Sequence, residues 1–366
     1  MSKTLEISPN ALISKKVLDR YLALELPANK VMATYIWLDG PALDICSKDR
    51  ALDFVPKSVN ELPIWAAGHG EADGTFSEWY LHPVKIYRDP FRQGNHILVL
   101  CETYSGDGKP SVKNRRNKCA EIAAKCAAEE PWFGIEQEYV FLDFDGHPLG
   151  WPKNGCPGRQ GVENYCGVGA KKVYGRDVVE AHTRACLYAG IKLAGTNAEG
   201  MPAQWEFQIG PCPDVTVADD LWVARFLLHR IAEDFGIVVT FDPKPMEGEW
   251  FGSGAHCNVS TKSTRAKGGI TAIHTAIDKL SKRHDKHIKA YDPKGGKDNE
   301  RRLVAGCATS SIHDFSAGVS NRSASIRIPK TVADNGCGYF EDRRPSSNCD
   351  PYAVVSVILS TICLNE

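Results

Sequence analysis

The segment FGIEQEYVFLDF, residues 133–144, has the composition of a β-strand and carries two carboxylates near its start. Glu136 and Glu138 are two positions apart, so on a strand both side chains project from the same face. Two like charges held close together are unfavourable unless something positive lies between them. A divalent cation would be a natural partner, although this pair by itself more often marks a polar strand edge that faces solvent.

Around this segment the sequence alternates between helical and strand-like patterns. Helices are predicted over 118–130, 175–189, 220–236 and 268–291, and strands over 202–210 and in the IVVTFDP run after Gly236. The apolar run 352–364 predicts a buried C-terminal helix, because it is too short to cross a membrane. These patterns indicate an α/β or α+β domain with a large sheet.

The N-terminal part has a different character. Residues 10–24 have helical spacing of apolar residues, and 31–40 and 96–104 are rich in β-forming residues. The Gly- and acid-rich span 65–83 predicts a loop, and the polar stretch 105–118 is the best linker candidate. We therefore predict a small mixed β domain over 1–110 and a larger domain over 111–366.

The overall composition excludes several classes of partner. The 366 residues are 43% hydrophobic and 24% charged, and 44 basic and 45 acidic residues give a net charge of −1. This balance argues against nucleic acid or an anionic membrane as the main partner. The 13 cysteines show no CxxC spacing, and residues 1–10 hold no signal-peptide core, so we expect reduced thiols and a cytoplasmic protein.

Further carboxylates and one imidazole lie in other segments. Glu199 is in a loop, Glu206 is on a predicted strand whose apolar side chains face the other way, and Glu341 follows YF near the C-terminus. His256 sits between small residues, where a lone histidine is more often part of a core than a ligand. The whole set is rich in oxygen and lacks thiolate, which suits Mg²⁺ or Mn²⁺ better than zinc.

Arginines accompany these carboxylates. NRSASIRIP supplies Arg322 and Arg327, and FEDRR supplies Arg343. Hard cations and arginines together are what phosphoryl transfer requires. The sequence has no GxxxxGK[ST] loop and no kinase signature, which disfavours the common nucleotide-binding folds. Residue chemistry therefore predicts a metal-dependent, nucleotide-using enzyme.

Many of these segments together resemble the glutamine synthetase family in its eukaryotic form. Those that match in order and spacing include WFGIEQEY, EAHTRACLYAG, PAQWEFQIGPC, AYDPKGG, NRSASIRIP and YFEDRRPSSNCDPY. The resemblance implies an α+β fold, with a small N-terminal β-grasp domain and a large catalytic domain built on a curved, mostly antiparallel sheet flanked by helices. It also implies a homo-oligomer of two stacked pentameric rings (a decamer), with sites between subunits.

The resemblance further implies an activity, cofactors and site residues. Family members use ATP and Mg²⁺ or Mn²⁺ to convert glutamate to γ-glutamyl phosphate, from which ammonia displaces phosphate. One metal site matches Glu138, Glu199 and Glu206, and the other matches Glu136, His256 and Glu341. Matches to the catalytic and nucleotide-binding residues are Arg322, Arg327, Arg343, Trp132 and Tyr339, and the substrate-binding positions are occupied by Arg302, Arg343, Phe251, Gly252 and Ala308.

The stretch RRLVAGCATSS, residues 301–311, departs from the family pattern. The family carries His-Glu-Thr there, and its glutamate closes over the site and helps to form the ammonium pocket. This chain has Cys307, Ala308 and Thr309 in those places, so the carboxylate is missing.

Two further departures affect the substrate site. The family's N-terminal Trp-Asn-(Phe/Tyr)-Asp-Gly-Ser-Ser, whose aspartate binds ammonium, is replaced by WAAGHG, residues 65–70. Phe251 replaces an asparagine that contacts the substrate glutamate, and Gly200 is another local change. Because ammonium capture needs buried negative charge and a base, we expect weak or absent synthesis from ammonia.

Three hypotheses follow, in order of preference from the sequence. The first is an ATP-dependent carboxylate–amine ligase that uses an amine other than ammonia, with or without a change of acid. The second is a catalytically inactive paralog with a structural or regulatory role. The third is an ordinary glutamine synthetase in which Asp73, Glu71 or His69 supplies the missing acid.

Overall fold

The computed structural model describes residues 8–39, 44–70, 76–111, 113, 115–154, 161, 163–306 and 308–366. Glu71, Asp73 and Cys307, which enter the hypotheses above, lie outside the described residues, and so does the side chain of His69. The strands are β1 Val31–Asp39, β2 Asp44–Leu52, β3 Trp65–Gly70, β4 Phe76–Arg88, β5 Ile97–Tyr104, β6 Trp132–Leu142, β7 Leu193–Ala198, β8 Gln204–Pro213, β9 Val238–Thr240, β10 Ala255–Ser260, β11 Ala317–Val319, β12 Ile326–Ile328 and β13 Phe340–Asp342.

The first five strands form one sheet, in the order β2-β1-β5-β4-β3. Strands β1 and β5 are parallel, and the other neighbours are antiparallel. The prediction of a loop over 65–83 was wrong, because β3 and β4 pair there from Trp65 opposite Leu81 to Gly70 opposite Phe76. Ala67 and Leu81 are buried in the sheet core, and this packing outweighs the weak strand preference of the Gly-rich sequence.

The second sheet contains the remaining eight strands, in the order β11-β12-β13-β10-β6-β8-β7, with β9 also paired to β6. All these pairs are antiparallel except β11 with β12. Strand β6 lies at the centre, between β10 and β8, which is why residues 133–144 give so strong a strand signal. The predicted α+β fold with a mostly antiparallel catalytic sheet is confirmed.

The helices lie mainly in the second part of the chain. They are α1 Lys15–Leu22, α2 Arg116–Lys125, α3 Arg176–Ala189, α4 Thr216–Phe235, α5 Lys262–Arg265, α6 Ile270–Ser281, α7 His284–Ala290, α8 Lys297–Glu300, α9 Lys330–Asn335 and α10 Pro351–Ile362. Helix α10 is almost wholly buried, as predicted for the C-terminal apolar run. Within the described residues, no helix has the length and apolar character needed to cross a lipid bilayer.

The single helix predicted over 268–291 is two helices. Arg283 has φ −125° and ψ 23°, outside the helical range, and it separates α6 from α7. Within α7 the side chain of His287 is buried, and its imidazole is hydrogen-bonded to the Tyr291 and Thr361 hydroxyls at 2.7 and 2.9 Å. Buried polar side chains of this kind need hydrogen-bond partners, and apolar periodicity reveals neither those partners nor the break.

The two sheets share part of one hydrophobic core and are joined by buried ion pairs. Arg116 donates to Asp219 on α4 at 2.8 and 2.9 Å and to Glu102 on β5 at 2.9 Å. Lys85 and Tyr87 on β4 both donate to Asp220, at 2.7 and 2.8 Å. The predicted domain boundary between residues 110 and 111 remains a prediction.

Most of the described cysteines are buried, and none of the cysteines that the structure describes is joined in a disulfide. This agrees with the expectation that the cysteines are reduced and pack in cores.

Candidate functional site

Strand register brings the carboxylates of the second sheet together. His256 on β10 lies opposite Glu136 on β6, and Glu206 on β8 lies opposite Glu138. Glu341 on β13 lies opposite Arg327 on β12. Residues far apart in the sequence therefore project from one region of the sheet.

Two groups of three side chains could each hold a metal ion. Glu136, His256 and Glu341 form one group, and Glu138, Glu199 and Glu206 form the other. In each group, one ligand atom per residue lies within 4.8 Å of the others. These are the same two triads that the family resemblance implies, although their role as ligands is still a prediction.

The first group has an imidazole between carboxylates. The His256 Nδ1 atom lies 3.5 Å from Glu136 Oε2 and 3.5 Å from Glu341 Oε1. Burial, followed by the nearby Arg343 charge, holds the pKa of His256 well below its ordinary value. A neutral imidazole has a free lone pair, which is the form that binds metals.

The second group is dominated by buried like charges. Burial and the neighbouring Glu199 raise the pKa of Glu138 to about 8, and burial raises the pKa of Glu199 to about 7. Burial and the adjacent carboxylates raise the pKa of Glu206 well above its usual range. Such a cluster is unfavourable when charged, and a divalent cation would offset that cost. The all-oxygen donor set fits Mg²⁺ or Mn²⁺.

Both groups border one cavity of about 520 Å³. The predicted site residues that line it are Glu136, Glu138, Glu199, Glu206, His256, Arg302, Arg322, Arg327, Arg343, Phe251, Gly252 and Ala308. Glu341 lies behind this wall, fully buried, where it accepts hydrogen bonds from Arg327 and from Arg343, the latter at 2.8 Å.

A second cavity, of about 470 Å³, adjoins the first and shares Glu136 and Gln208 with it. Its lining includes both predicted nucleotide-side residues, Trp132 and Tyr339, which are partly exposed. The Arg265 guanidinium lies 3.9 Å from the centre of the Trp132 ring. Exposed aromatic rings in a largely apolar cavity suit a flat base.

Arg302 is fixed in the wall of the first cavity. Its Nε donates to Asn299 at 2.9 Å, and its Nη2 donates to the Arg344 carbonyl at 2.7 Å. Burial lowers the pKa of Arg302 to about 10, so the guanidinium is still a cation at neutral pH. Gly254 leaves room for it, since a Cβ at that position would lie 2.7 Å from Arg302 Nη1.

Gln204 is a site residue that the sequence did not single out. Its amide donates to the Gly252 carbonyl and to Ser253 Oγ, both at 3.0 Å, and so positions the segment that contains Phe251. Gln204, Glu206 and Gln208 alternate along β8 and so lie on one face of the strand. This alternation could have identified Gln204 from the sequence.

The loop that departs from the family pattern borders the same cavity. Ala308 and Thr309 both line it, and the Thr309 hydroxyl donates to the Val304 carbonyl at 2.9 Å. The sequence from Leu303 to His313 contains no carboxylate. The loop therefore brings a methyl group and a hydroxyl to this wall.

Comparisons with known proteins identify the family. Residues 116–288 match the family model described as glutamine synthetase, catalytic domain. The Drosophila melanogaster protein named "Glutamine synthetase 2 cytoplasmic" is 65% identical over 368 residues, which is 100% of both chains. The chain belongs to the glutamine synthetase family.

Two other relatives agree with this assignment. Glutamine synthetase from Panulirus argus is 62% identical over 356 residues, which cover 96% of this chain and 98% of that protein. Glutamine synthetase from Mus musculus is 56% identical over 362 residues, covering 98% and 96%. All three relatives come from eukaryotes, which agrees with the resemblance to the eukaryotic form of the family. High identity along the whole chain gives no support to the idea of a strongly divergent paralog.

Proposed function

We propose that this chain is an ATP-dependent C–N ligase that makes glutamine from glutamate and ammonia through an acyl phosphate. The γ-phosphoryl group passes from ATP to the side-chain carboxylate of glutamate. Ammonia then attacks the acyl carbon, the bond to the phosphate oxygen breaks, and phosphate leaves. The observation that carries the proposal is that four arginines and five residues of the two candidate metal groups line one cavity, with Glu341 buried behind its wall, in a chain whose relatives are named glutamine synthetases.

The two adjoining cavities suggest where the substrates bind. The adenine would lie between Trp132 and Tyr339, and the phosphates would pass the shared border at Glu136 into the first cavity. Arg322 and Arg327 would bind the transferred phosphate, because guanidinium groups pair well with phosphate oxygens. Arg302 and Arg343 would hold the substrate carboxylate and the acyl phosphate.

The two triads would hold Mg²⁺ or Mn²⁺. When bound, such ions neutralise phosphate oxygens and orient the reacting groups. The protein's own contribution is to fix the ligands through strand register and to support them with amides. Asn258 donates to Glu136 at 2.8 Å, and Asn197 donates to Glu199 at 2.9 Å.

The identity of the amine separates the hypotheses. The relatives' names favour ammonia and so reverse the order of preference drawn from the sequence alone. If the amine is ammonia, Glu71, Asp73 or His69 would take the role of the carboxylate that is missing from the ammonium site. A second candidate is an amine other than ammonia, which is favoured by the acid-free loop and by Ala308 and Thr309 on the cavity wall.

The test is phosphate release by the purified protein with glutamate, MgATP and a panel of amines that includes ammonium. Ammonium-dependent release that yields glutamine supports the leading proposal. Release with another amine but not with ammonium supports the second candidate. If no amine stimulates release from protein that still binds ADP, both fail and the inactive paralog remains. Glu206→Gln is the matched inactive control.

We also propose a cytoplasmic homo-oligomer of stacked rings with sites between subunits. The support for assembly is a strip of apolar side chains near the N-terminus, comprising Leu12, Ile13, Val17, Leu18 and Leu22, each exposed in the single chain. Such a strip is typical of a protein interface. Light scattering during gel filtration tests this proposal, and a monomeric mass would contradict it.

A further inference from the structure

Phe251 and Gly200 form a matched contact in the wall of the first cavity. A Cβ atom added at Gly200 would lie 2.6 Å from Cε2 and 2.7 Å from Cδ2 of the Phe251 ring. That is closer than a non-bonded carbon–carbon contact allows, so with the ring in this position only glycine fits at residue 200. The two residues line the same cavity, and they are two of the positions where the chain departs from its family pattern.

The backbone on each side of this contact is held by its neighbours. The Gly200 carbonyl accepts hydrogen bonds from the Gly161 N–H at 2.8 Å and from the Asn164 amide at 3.2 Å. On the other side, a Cβ at Gly252 would lie 2.5 Å from Arg302 Cγ and 2.6 Å from the Pro243 carbonyl. The segment that carries Phe251 is therefore packed tightly between its neighbours.

This packing places an apolar ring in the wall of the cavity that also holds the proposed carboxylate-binding group, Arg302. A Cβ at Gly252 would lie against the stem of Arg302, so the residue that follows Phe251 packs on that side chain, and Phe251 and Arg302 line the same cavity. The ring brings neither a strong hydrogen-bond donor nor an acceptor. A polar substituent of the acid that faced it would gain no hydrogen bond there.

The consequence concerns selectivity between acids. A site that hydrogen-bonds a polar group of its substrate rejects the analogue lacking that group by roughly 10⁴-fold, whereas an apolar wall discriminates by roughly 10²-fold or less. We propose that Phe251, seated on Gly200, is the specificity-determining residue for the acid. It makes the site tolerant of dicarboxylic acids without an α-amino group, of which glutarate is the simplest. This inference rests on the proposed ligase function.

The test compares glutamate with glutarate, using hydroxylamine as the nucleophile. Hydroxylamine attacks the acyl carbon, the bond to the phosphate oxygen breaks, and the products are a hydroxamate and hydrogen phosphate, which carries the proton lost from the nitrogen. Hydroxylamine is an uncharged nucleophile at neutral pH, so the assay does not require deprotonation of ammonium. In the unmodified protein we expect the kcat/KM ratio of glutamate to glutarate to be about 100 or less. Phe251→Asn should raise that ratio at least about tenfold, because it restores a hydrogen-bonding amide. An unchanged ratio would overturn the inference.

Matched variants separate hydrogen bonding from shape. Phe251→Leu keeps an apolar wall and should leave the ratio close to that of the unmodified protein. Gly200→Ala should lower the unfolding temperature through the clash with the ring, and the double variant Gly200→Ala/Phe251→Asn should recover it. A stable Gly200→Ala protein with unchanged selectivity would contradict the matched contact.

A binding measurement distinguishes failure of this inference from failure of the proposed function. Calorimetry with Mn²⁺ and ADP gives the affinities for glutamate and glutarate without turnover. If no hydroxamate forms with any acid but Phe251→Asn still shifts the affinity ratio, the ligase proposal fails and the role of Phe251 stands. If hydroxamate forms but Phe251→Asn shifts neither the kcat/KM ratio nor the affinity ratio, the ligase proposal stands and the role of Phe251 fails.

Discussion

Glu138 and Glu206 face each other as paired residues on neighbouring antiparallel strands, β6 and β8. The same central strand places Glu136 opposite His256 on its other side. One strand, with its two neighbours in fixed register, therefore organises both candidate metal groups. Because side chains alternate along a strand, Glu136 and Glu138 lie on the same face of β6, and each belongs to one of the two groups.

Replacing Glu206 with glutamine should weaken metal binding. The variant removes one of three carboxylates from its group, and we expect Mn²⁺ affinity at that site to fall at least about tenfold. Without metal, the same variant should unfold at a higher temperature, because one buried like charge is gone. Calorimetric Mn²⁺ titration and thermal unfolding in EDTA measure the two effects. The exposed Glu121→Gln is the control, and a Glu206→Gln protein that binds Mn²⁺ normally would refute the assignment.

The apolar cavity should bind the base of the nucleotide through Trp132. Trp132→Ala should weaken ADP binding by roughly tenfold or more, since base–aromatic stacking contributes about 1–3 kcal/mol. Trp132→Phe keeps a ring and should retain most of the affinity. Fluorescence titration with a nucleotide analogue gives both values. Equal affinities for the alanine variant and the unmodified protein would place the base elsewhere.

The ion pair between Arg116 and Asp219 should be important for stability. The side chains are only 15% and 2% exposed, and Arg116→Met would leave the Asp219 carboxylate buried without this partner. Such a change typically costs about 3–5 kcal/mol. Adding Asp219→Asn should recover part of the loss in urea unfolding. The exposed pair of Lys282 and Asp278 provides the control, because Lys282→Met should have little effect.

Acidification should destabilise the protein through two buried histidines. Burial lowers the pKa of His182 to about 4 and that of His287 to about 3, from an ordinary value of 6.5. Between pH 6.5 and about 4 the unfolded chain therefore binds protons that the folded chain does not, and stability falls as pH falls.

Thermal unfolding at pH 7 and pH 5 tests this prediction. His182→Gln should reduce the pH dependence, because it removes a titratable imidazole. The glutamine amide can still donate to the Ala224 carbonyl that His182 contacts at 3.0 Å, so the variant should fold. The exposed His274→Gln should leave the dependence unchanged. Equal pH dependence in all three proteins would show that His182 does not contribute to it.

Local sequence patterns predicted the central strand β6 and the buried helix α10 well, because their apolar residues follow one consistent pattern. They failed for 65–83 and for the break at Arg283. At 65–83 the pairing of β3 with β4 outweighs the local composition, and at Arg283 the backbone leaves the helical range within a continuous apolar pattern. The grouping of Glu136 with His256 and Glu341 required the family resemblance, since strand order cannot be read from spacing. The contact between Phe251 and Gly200 appears only in three dimensions.

The most direct test of the account is nitrogen NMR of the reaction of the purified protein with glutamate, MgATP and ¹⁵N-labelled ammonium. The account predicts a growing amide signal from glutamine, with one ADP and one phosphate released for each amide formed. The absence of this signal, from protein that binds ADP and Mn²⁺ and forms its oligomer, would contradict glutamine synthesis from ammonia.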